Sequence, residues 1–422
     1  MSLKIEYKTL KNNPQKILNG EVHSWYRIAL GFSDQLVTAM LNRFALKTGD
    51  WVLDPFCGSG TTLVECKKSG INSIGVDANP SSYFASRVKL NWGLDRQRII
   101  DLAEEVKKSY SLQIKKHRGY KSDPTYEYLD ESGMLERGWI SPKPLQKSIY
   151  LKTAILSLNT HQKYKNLLLL ALIDEVLNDA SNVKFGPQLY CSTPKENVDV
   201  LKGFLARVQK ITADLTRVKK LVSAESIVYL GDSRECNLIL DSSVTISAVI
   251  CSPPYPGEHD YTRHSRLELA FLEDVTSKEE LQQVKRQMIR SNTKNIYKGD
   301  KDWELVSENK DIALIVQEID KRAKKKTHGF ARLYSTVVLE YFGGMKRHLQ
   351  NLHSLLASGA QCAYVVGDQS SYLQVHIPTA RILSNIASEV GYETLDIIPW
   401  RTAWASKTSK KVDENILVLR KI

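Results

Sequence analysis

Short apolar runs and longer stretches with three- and four-residue apolar spacing alternate along the first ninety residues. Residues 50–54 hold a buried strand, WVLD. The turn PFCGSGTT follows, and LVECKK then reads as a helix. Asn72–Asp77 (NSIGVD) is a second strand and Asn79–Trp92 a second helix, with Asn79 as N-cap and Pro80 in its first position. Strand, glycine-rich turn, helix, strand, helix is the opening of a parallel α/β sheet.

The pattern breaks at about residue 93, and up to about 225 the spacing is mostly helical. Gln162–Ala180 is one apolar-striped helix. Another begins near Thr193-Pro194 and runs to about Val222, with Leu201, Phe204, Val208, Ile211, Leu215, Val218 and Val222 forming a coiled-coil-like seam. This seam is expected to pack on a neighbouring helix of the same chain. Strands resume at Ile227–Asp232 and Ile246–Cys251. A polar, basic interruption covers about 264–330 and ends in the run Lys321–Lys326, read as a solvated helix end. A helix over Tyr334–Leu356, a strand over Ala360–Gly367 and a helix over Ile377–Val390 follow. The last strands, Tyr392–Ile398 and Ile416–Arg420, have only a loop between them and are expected to pair antiparallel.

Composition narrows the class. Hydrophobic residues are 42% and charged residues 25%, so the 422-residue chain is expected to fold, and no apolar run reaches the roughly eighteen residues of a membrane span. The polar start, MSLKIEYKTLKNN, lacks a signal core, which points to the cytosol. Six scattered cysteines with no CxxC pair argue for reduced thiols, against a zinc frame and for no metal. The net charge of +12 favours a polyanionic partner.

Two segments carry the chemistry. Gly58 and Gly60 sit in a strand-to-helix turn, where backbone can approach a ligand and helix N–H groups are free. The spacing matches neither the dinucleotide nor the P-loop pattern. Asp77 ends the next strand about twenty residues on, where a carboxylate can accept from both ribose hydroxyls. The second segment is Ser252-Pro253-Pro254-Tyr255, directly after a buried strand. Paired prolines end the ladder and stiffen the backbone. A serine hydroxyl and a proline carbonyl are acceptors for an exocyclic amine, and a tyrosine ring can stack on a base. C5-cytosine methylation needs a cysteine nucleophile in a Pro-Cys context, and no Pro-Cys dipeptide occurs. Cys57 and Cys251 are read as small core residues.

DPFCGSGTT with a downstream SPPY resembles the S-adenosylmethionine-dependent DNA amino-methyltransferases, the Ser form of the tetrapeptide being the one associated with cytosine N4. The resemblance implies a class I, Rossmann-like α/β fold: a mostly parallel seven-stranded sheet with helical insertions. It implies a cofactor site at Asp54, Phe56, Gly58, Gly60, Thr61, Thr62, Asp77, Asp232 and Ser233, with Asp232 meeting the adenine amine. His23–Phe32, which includes Tyr26, followed by an amphipathic Asp34–Phe44, is similar to the family's element that closes over the methionine end. Asp260-Tyr261-Thr262-Arg263 and Leu267-Glu268-Leu269 resemble one branch of the family. Ser252, Pro253, Pro254 and Tyr255 become the catalytic residues.

The implied organisation is a cofactor-binding half over 1–92, a helical insertion over 93–225, a catalytic strand and loop over 226–263, a basic insertion over 264–333 and the rest of the core over 334–422. Either insertion could read DNA. Arg263, Arg266, Arg290 and Lys294 are the candidate contacts. The implied function is transfer of methyl from S-adenosylmethionine to cytosine N4 in duplex DNA, in a restriction-modification or related defence setting with a cognate restriction endonuclease. Adenine-N6 methylation, an RNA or protein amine as substrate, and a non-catalytic DNA-binding module with a vestigial cofactor fold are the alternatives.

Overall fold

The computed structural model describes residues 20–26, 31–115, 119–185, 189–221, 224–326, 329–404 and 411–422. The start of the chain, residues 27–30 of the expected closing element and Val222 of the seam lie outside the described residues. Seven strands form the central sheet: β1 (Trp51–Asp54), β2 (Asn72–Asp77), β3 (Ser226–Leu230), β4 (Ile246–Cys251), β5 (Leu356–Gly367), β6 (Tyr392–Trp404) and β7 (Lys411–Lys421). Their order is β3-β2-β1-β4-β5-β7-β6. The pairs from β3 to β5 are parallel, and β7 runs antiparallel to both β5 and β6. The reversal follows from the connection expected in the sequence: with no helix between them, the last two strands pair directly.

Alternation along the strands assigns the two faces. Leu53, Val249, Cys251, Tyr364 and Leu417 enter the core under α9 (Tyr334–His353) and α10 (Thr379–Glu389). Their neighbours Val52, Ala248, Ile250, Val365 and Ile416 pack on α1 (Asp34–Arg43). The next helices of that second face are α2 (Thr61–Lys68) and α3 (Pro80–Lys89), and α3 starts on the expected cap: Asn79 Oδ1 accepts from the Ser81 N–H. All six cysteines are free, and five are buried.

The first insertion is helical: α4 (Arg96–Lys115), α5 (Pro124–Glu131), α6 (Pro142–Leu156), α7 (Gln162–Glu175) and α8 (Val200–Val218). The α8 seam is buried from Phe204 to Val218, against α4 and α7 of the same chain. The helix begins at Val200 and not near Thr193, because Asp199 caps it by accepting from the Lys202 N–H. A two-strand hairpin, Val183–Phe185 with Leu189–Cys191, interrupts the helices. Strands of three residues are too short for alternation to be read. β6 is longer than its pattern suggested, because register shifts near Thr394 and Pro399 break the period of two. No helix among the described residues is long and apolar enough to cross a membrane.

Candidate active site

Two strand ends set the site. β1 and β4 are hydrogen-bonded parallel neighbours, with Val52 opposite Ala248 and Leu53 opposite Val249, so the turns that follow them open at one sheet edge. Thr62 Oγ1 donates to the Ile250 carbonyl at 3.1 Å and ties the start of α2 to β4. One cavity is walled by Phe56 and Gly58 from the first turn, Asp77 and Asn79 from the end of β2, Ser233 after β3, and Ser252 and Pro254 from the second turn.

The glycine turn is built for close approach. Gly60 caps α2 at φ +83°, and a Cβ there would lie 3.0 Å from that of Ser86. The Gly58 N–H donates to Asp77 Oδ2 and the Asn79 N–H to Asp77 Oδ1, each at 2.8 Å. Each carboxylate oxygen keeps a further lone pair for a ligand. Burial nevertheless pushes the Asp77 carboxyl up to about 6. Asp54, pushed up to about 7 by burial, accepts from the Phe56 N–H at 3.0 Å. It shapes the turn from behind, and Gly60, Thr61 and Thr62 also lie outside the cavity wall.

Beyond β3, Ser233 reaches the wall and Asp232 does not. The Asp232 carboxylate accepts from Arg234 Nη2 at 2.6 Å, and Arg234 in turn pairs with Asp302 at 2.6 Å. His348 holds this corner from below. Its Nδ1 lies 2.8 Å from the Ser233 carbonyl, which can only accept, so Nδ1 carries the proton; Nε2 then accepts from the Tyr364 hydroxyl at 2.9 Å. Burial pushes His348 down to about 4, so the ring stays neutral. Its edge meets Phe56 with centroids 5.1 Å apart. No sequence pattern marks His348, because it serves through contacts with distant segments.

The second turn is fixed at Ser252, Pro254 and Tyr255. Ser252 Oγ donates to the Val365 carbonyl at 3.2 Å. The Tyr341 hydroxyl donates to the Pro254 carbonyl at 2.9 Å. The Tyr255 N–H donates to the Tyr261 hydroxyl at 2.9 Å, and the Tyr255 hydroxyl to Glu414 Oε1 at 2.7 Å. Pro253 and Tyr255 lie outside the wall of the cavity. The basic insertion is bolted to the loop: Ser291 Oγ and Asn292 Nδ2 donate to the His259 carbonyl, and the Thr293 N–H donates to Glu258.

Glu268 was legible only as part of a motif. Its side chain lines the cavity at 4% exposure, and Oε1 accepts from the Tyr26 hydroxyl at 2.9 Å. Oε2 is buried without a partner among the described residues, and burial pushes the carboxyl up to about 7. Tyr26 also lines the cavity, and its carbonyl accepts from Lys89 Nζ at 2.6 Å.

The four candidate cations separate. Arg263 and Lys294 are exposed, and Arg266 is half-buried near Asp260. Arg290 corrects the sequence reading: at 4% exposure it grips Asp300 with two nitrogens and donates to the carbonyls of Lys285 and Arg286. A guanidinium whose donors are spent inside the fold has nothing to offer a phosphate.

A seven-stranded sheet with a reversed penultimate position in its order, and a glycine turn beside a proline turn at one edge, give the chain the class I methyltransferase fold. Comparison with known proteins narrows the class. The DNA methylase family model (N6_N4_Mtase) matches residues 8–86. The chain is 27% identical to the Type II methyltransferase M.BsoBI of Geobacillus stearothermophilus, over 90% of this chain and 80% of that one. It is 20% identical to the Type II methyltransferase M.AvaI of Nostoc sp., over 99% and 87%. A 69-residue stretch is 46% identical to the Type II methyltransferase M.MjaII of Methanocaldococcus jannaschii, over 16% of this chain and 13% of that one. These matches make the chain similar to the DNA amino-methyltransferases, whose cofactor is S-adenosylmethionine.

Proposed function

We propose that the protein methylates N4 of cytosine at a specific site in duplex DNA, within a restriction-modification or related defence system. The observation that carries this reading is the state of Ser252. A hydroxyl has one proton, and here it goes to the Val365 carbonyl. The oxygen at the cavity therefore presents lone pairs only, which suits an amine that donates. The Ser form of the tetrapeptide supports cytosine over adenine.

The residues present fit the cofactor. Asp77 keeps acceptors for ribose hydroxyls. Gly58, Phe56 and Ser233 supply close backbone and an apolar face, with Asp54, Gly60, Thr61, Thr62 and Asp232 shaping the turns behind them. Glu268, buried with an orphan oxygen, would take the cofactor's ammonium, and Tyr26 would hold that carboxylate in place. S-adenosylmethionine supplies an electrophilic methyl group on a sulfonium.

The protein's own task is then to orient the amine. Ser252 Oγ and the Pro253 carbonyl would accept its two N–H bonds, which favours a pyramidal nitrogen and stabilises the positive charge that develops there. Tyr255 would hold the base by its ring. No strong general base is needed, since the methylated nitrogen is acidic and loses its proton afterwards. The base must leave the duplex, at a cost of a few kcal/mol. The insertion over 264–333 is the better placed to receive DNA, because Lys285, Ser291 and Asn292 lie in the cavity wall whereas no described residue of 93–225 does.

Incubation with unmethylated genomic DNA and labelled cofactor, followed by nucleoside analysis, tests the reading. N4-methylcytosine is expected, and N6-methyladenine would refute the base assignment. Ser252→Ala should lower turnover by about a hundredfold or more while cofactor affinity changes little.

A further inference from the structure

We propose that Glu414 is a positioning residue for methyl transfer: with Arg401 it holds Tyr255 by its hydroxyl and so fixes the ring that the target base meets. The proposal rests on the reading above, in which Tyr255 holds the base.

The arrangement follows from register. On three adjacent strands, Gly367 of β5 stands opposite Glu414 of β7, which stands opposite Arg401 of β6. Tyr255 lies across this row. Its ring rests over Gly367, where a Cβ would come within 2.9 Å of Cε2, so only glycine leaves room for it. Its hydroxyl reaches Glu414 Oε1 at 2.7 Å. Arg401 Nη2 donates to the same oxygen at 3.1 Å, and Arg401 Nε pairs with Oε2. The Tyr255 backbone is pinned separately, by the Tyr261 hydroxyl. Backbone, ring plane and hydroxyl are thus each fixed from a different segment. Glu414 is itself 9% exposed, so its charge is held in a partly dry place by one guanidinium.

Two consequences serve the reaction. A ring held at both ends loses little freedom when a base docks on it, so less entropy opposes the flipped state. A phenol donating to a carboxylate also carries more electron density on its face, and that face attracts the positive charge growing on the amine. Burial and the Glu414 charge push the Tyr255 hydroxyl well above its ordinary value, so it remains a neutral donor throughout.

The test compares Glu414→Leu, Glu414→Gln, Tyr255→Phe and Tyr255→Ala in the full-length protein. Turnover on unmethylated DNA, cofactor affinity by calorimetry and the unfolding midpoint are measured for each. Glu414→Leu and Tyr255→Phe should each lower kcat by about ten- to a hundredfold, the range expected for a hydrogen bond to a charged group. The double variant Glu414→Leu with Tyr255→Phe should lose no more than the worse single one, cofactor affinity should stay within about twofold, and Glu414→Gln, which keeps an acceptor, should recover part of the rate. Losses that multiply, or an unchanged kcat in Glu414→Leu, would overturn the proposal. Should Glu414→Leu fail to fold, Glu414→Gln with Tyr255→Phe carries the same comparison. If Tyr255→Ala leaves turnover intact, the reading of the tetrapeptide fails instead.

Discussion

Asp77 and Glu268 share one cavity and one electrostatic condition: burial holds both carboxyls above their ordinary range, near pH 6 and 7. A carboxyl raised in the folded state binds its proton more tightly there than in the unfolded chain. Each group's contribution to stability is therefore greatest at low pH and declines as pH rises from the unfolded carboxylate value to the folded one. A ligand that donates hydrogen bonds or carries an ammonium selects the ionised forms, so its affinity has the opposite slope. S-adenosylmethionine affinity should fall as pH drops from 8 to 5.5, by about tenfold or more. Calorimetry across that range checks the sign. Glu268→Gln should weaken binding at pH 8 and flatten the upper part of the profile, whereas Asp77→Ala should weaken binding at every pH.

At the scale of elements, fasteners between distant segments matter as much as the sheet. Lys152 on α6 is 1% exposed and bonds Asp123 and Thr125 at the start of α5 and Glu273 just beyond the helix Arg266–Phe271, at 2.6, 2.7 and 2.7 Å. It joins the first insertion to the segment that carries Glu268. Lys152→Met leaves two carboxylates without their cation. It should cost about 3 kcal/mol, the low end for a broken buried pair, since Glu273 keeps contact with water. A lowered unfolding midpoint with weakened cofactor binding would show the coupling; an unchanged midpoint would remove it. Val22 and Trp25 make a second fastener, both donating to Asp214 Oδ2 on α8.

For the whole molecule, a net charge of +12 has meaning only once its members are placed. Arg263 and Lys294 are exposed, while Arg290 is consumed by Asp300. Alanine at Arg263 and Lys294 should each reduce the slope of log affinity against log salt by about one, measured by DNA titration at several salt concentrations. Arg290→Ala should leave that slope alone and lower the unfolding midpoint, because the partly buried Asp300 loses its cation. Equal effects of all three on the salt slope would contradict this sorting.

Strands β1 to β4, the capped α3, the reversed last strand and both chemical turns could be read from the residues, because period, capping and proline chemistry are local. Contact between the two turns could not: 189 residues lie between Thr62 and Ser252, and the pairing of β1 with β4 brings them to one edge. The same holds for Glu268, His348, Glu414 and Arg290. Each of these side chains acquires its role from a partner supplied by another element, and a charge that looks free along the chain is free in the fold only if no such partner reaches it.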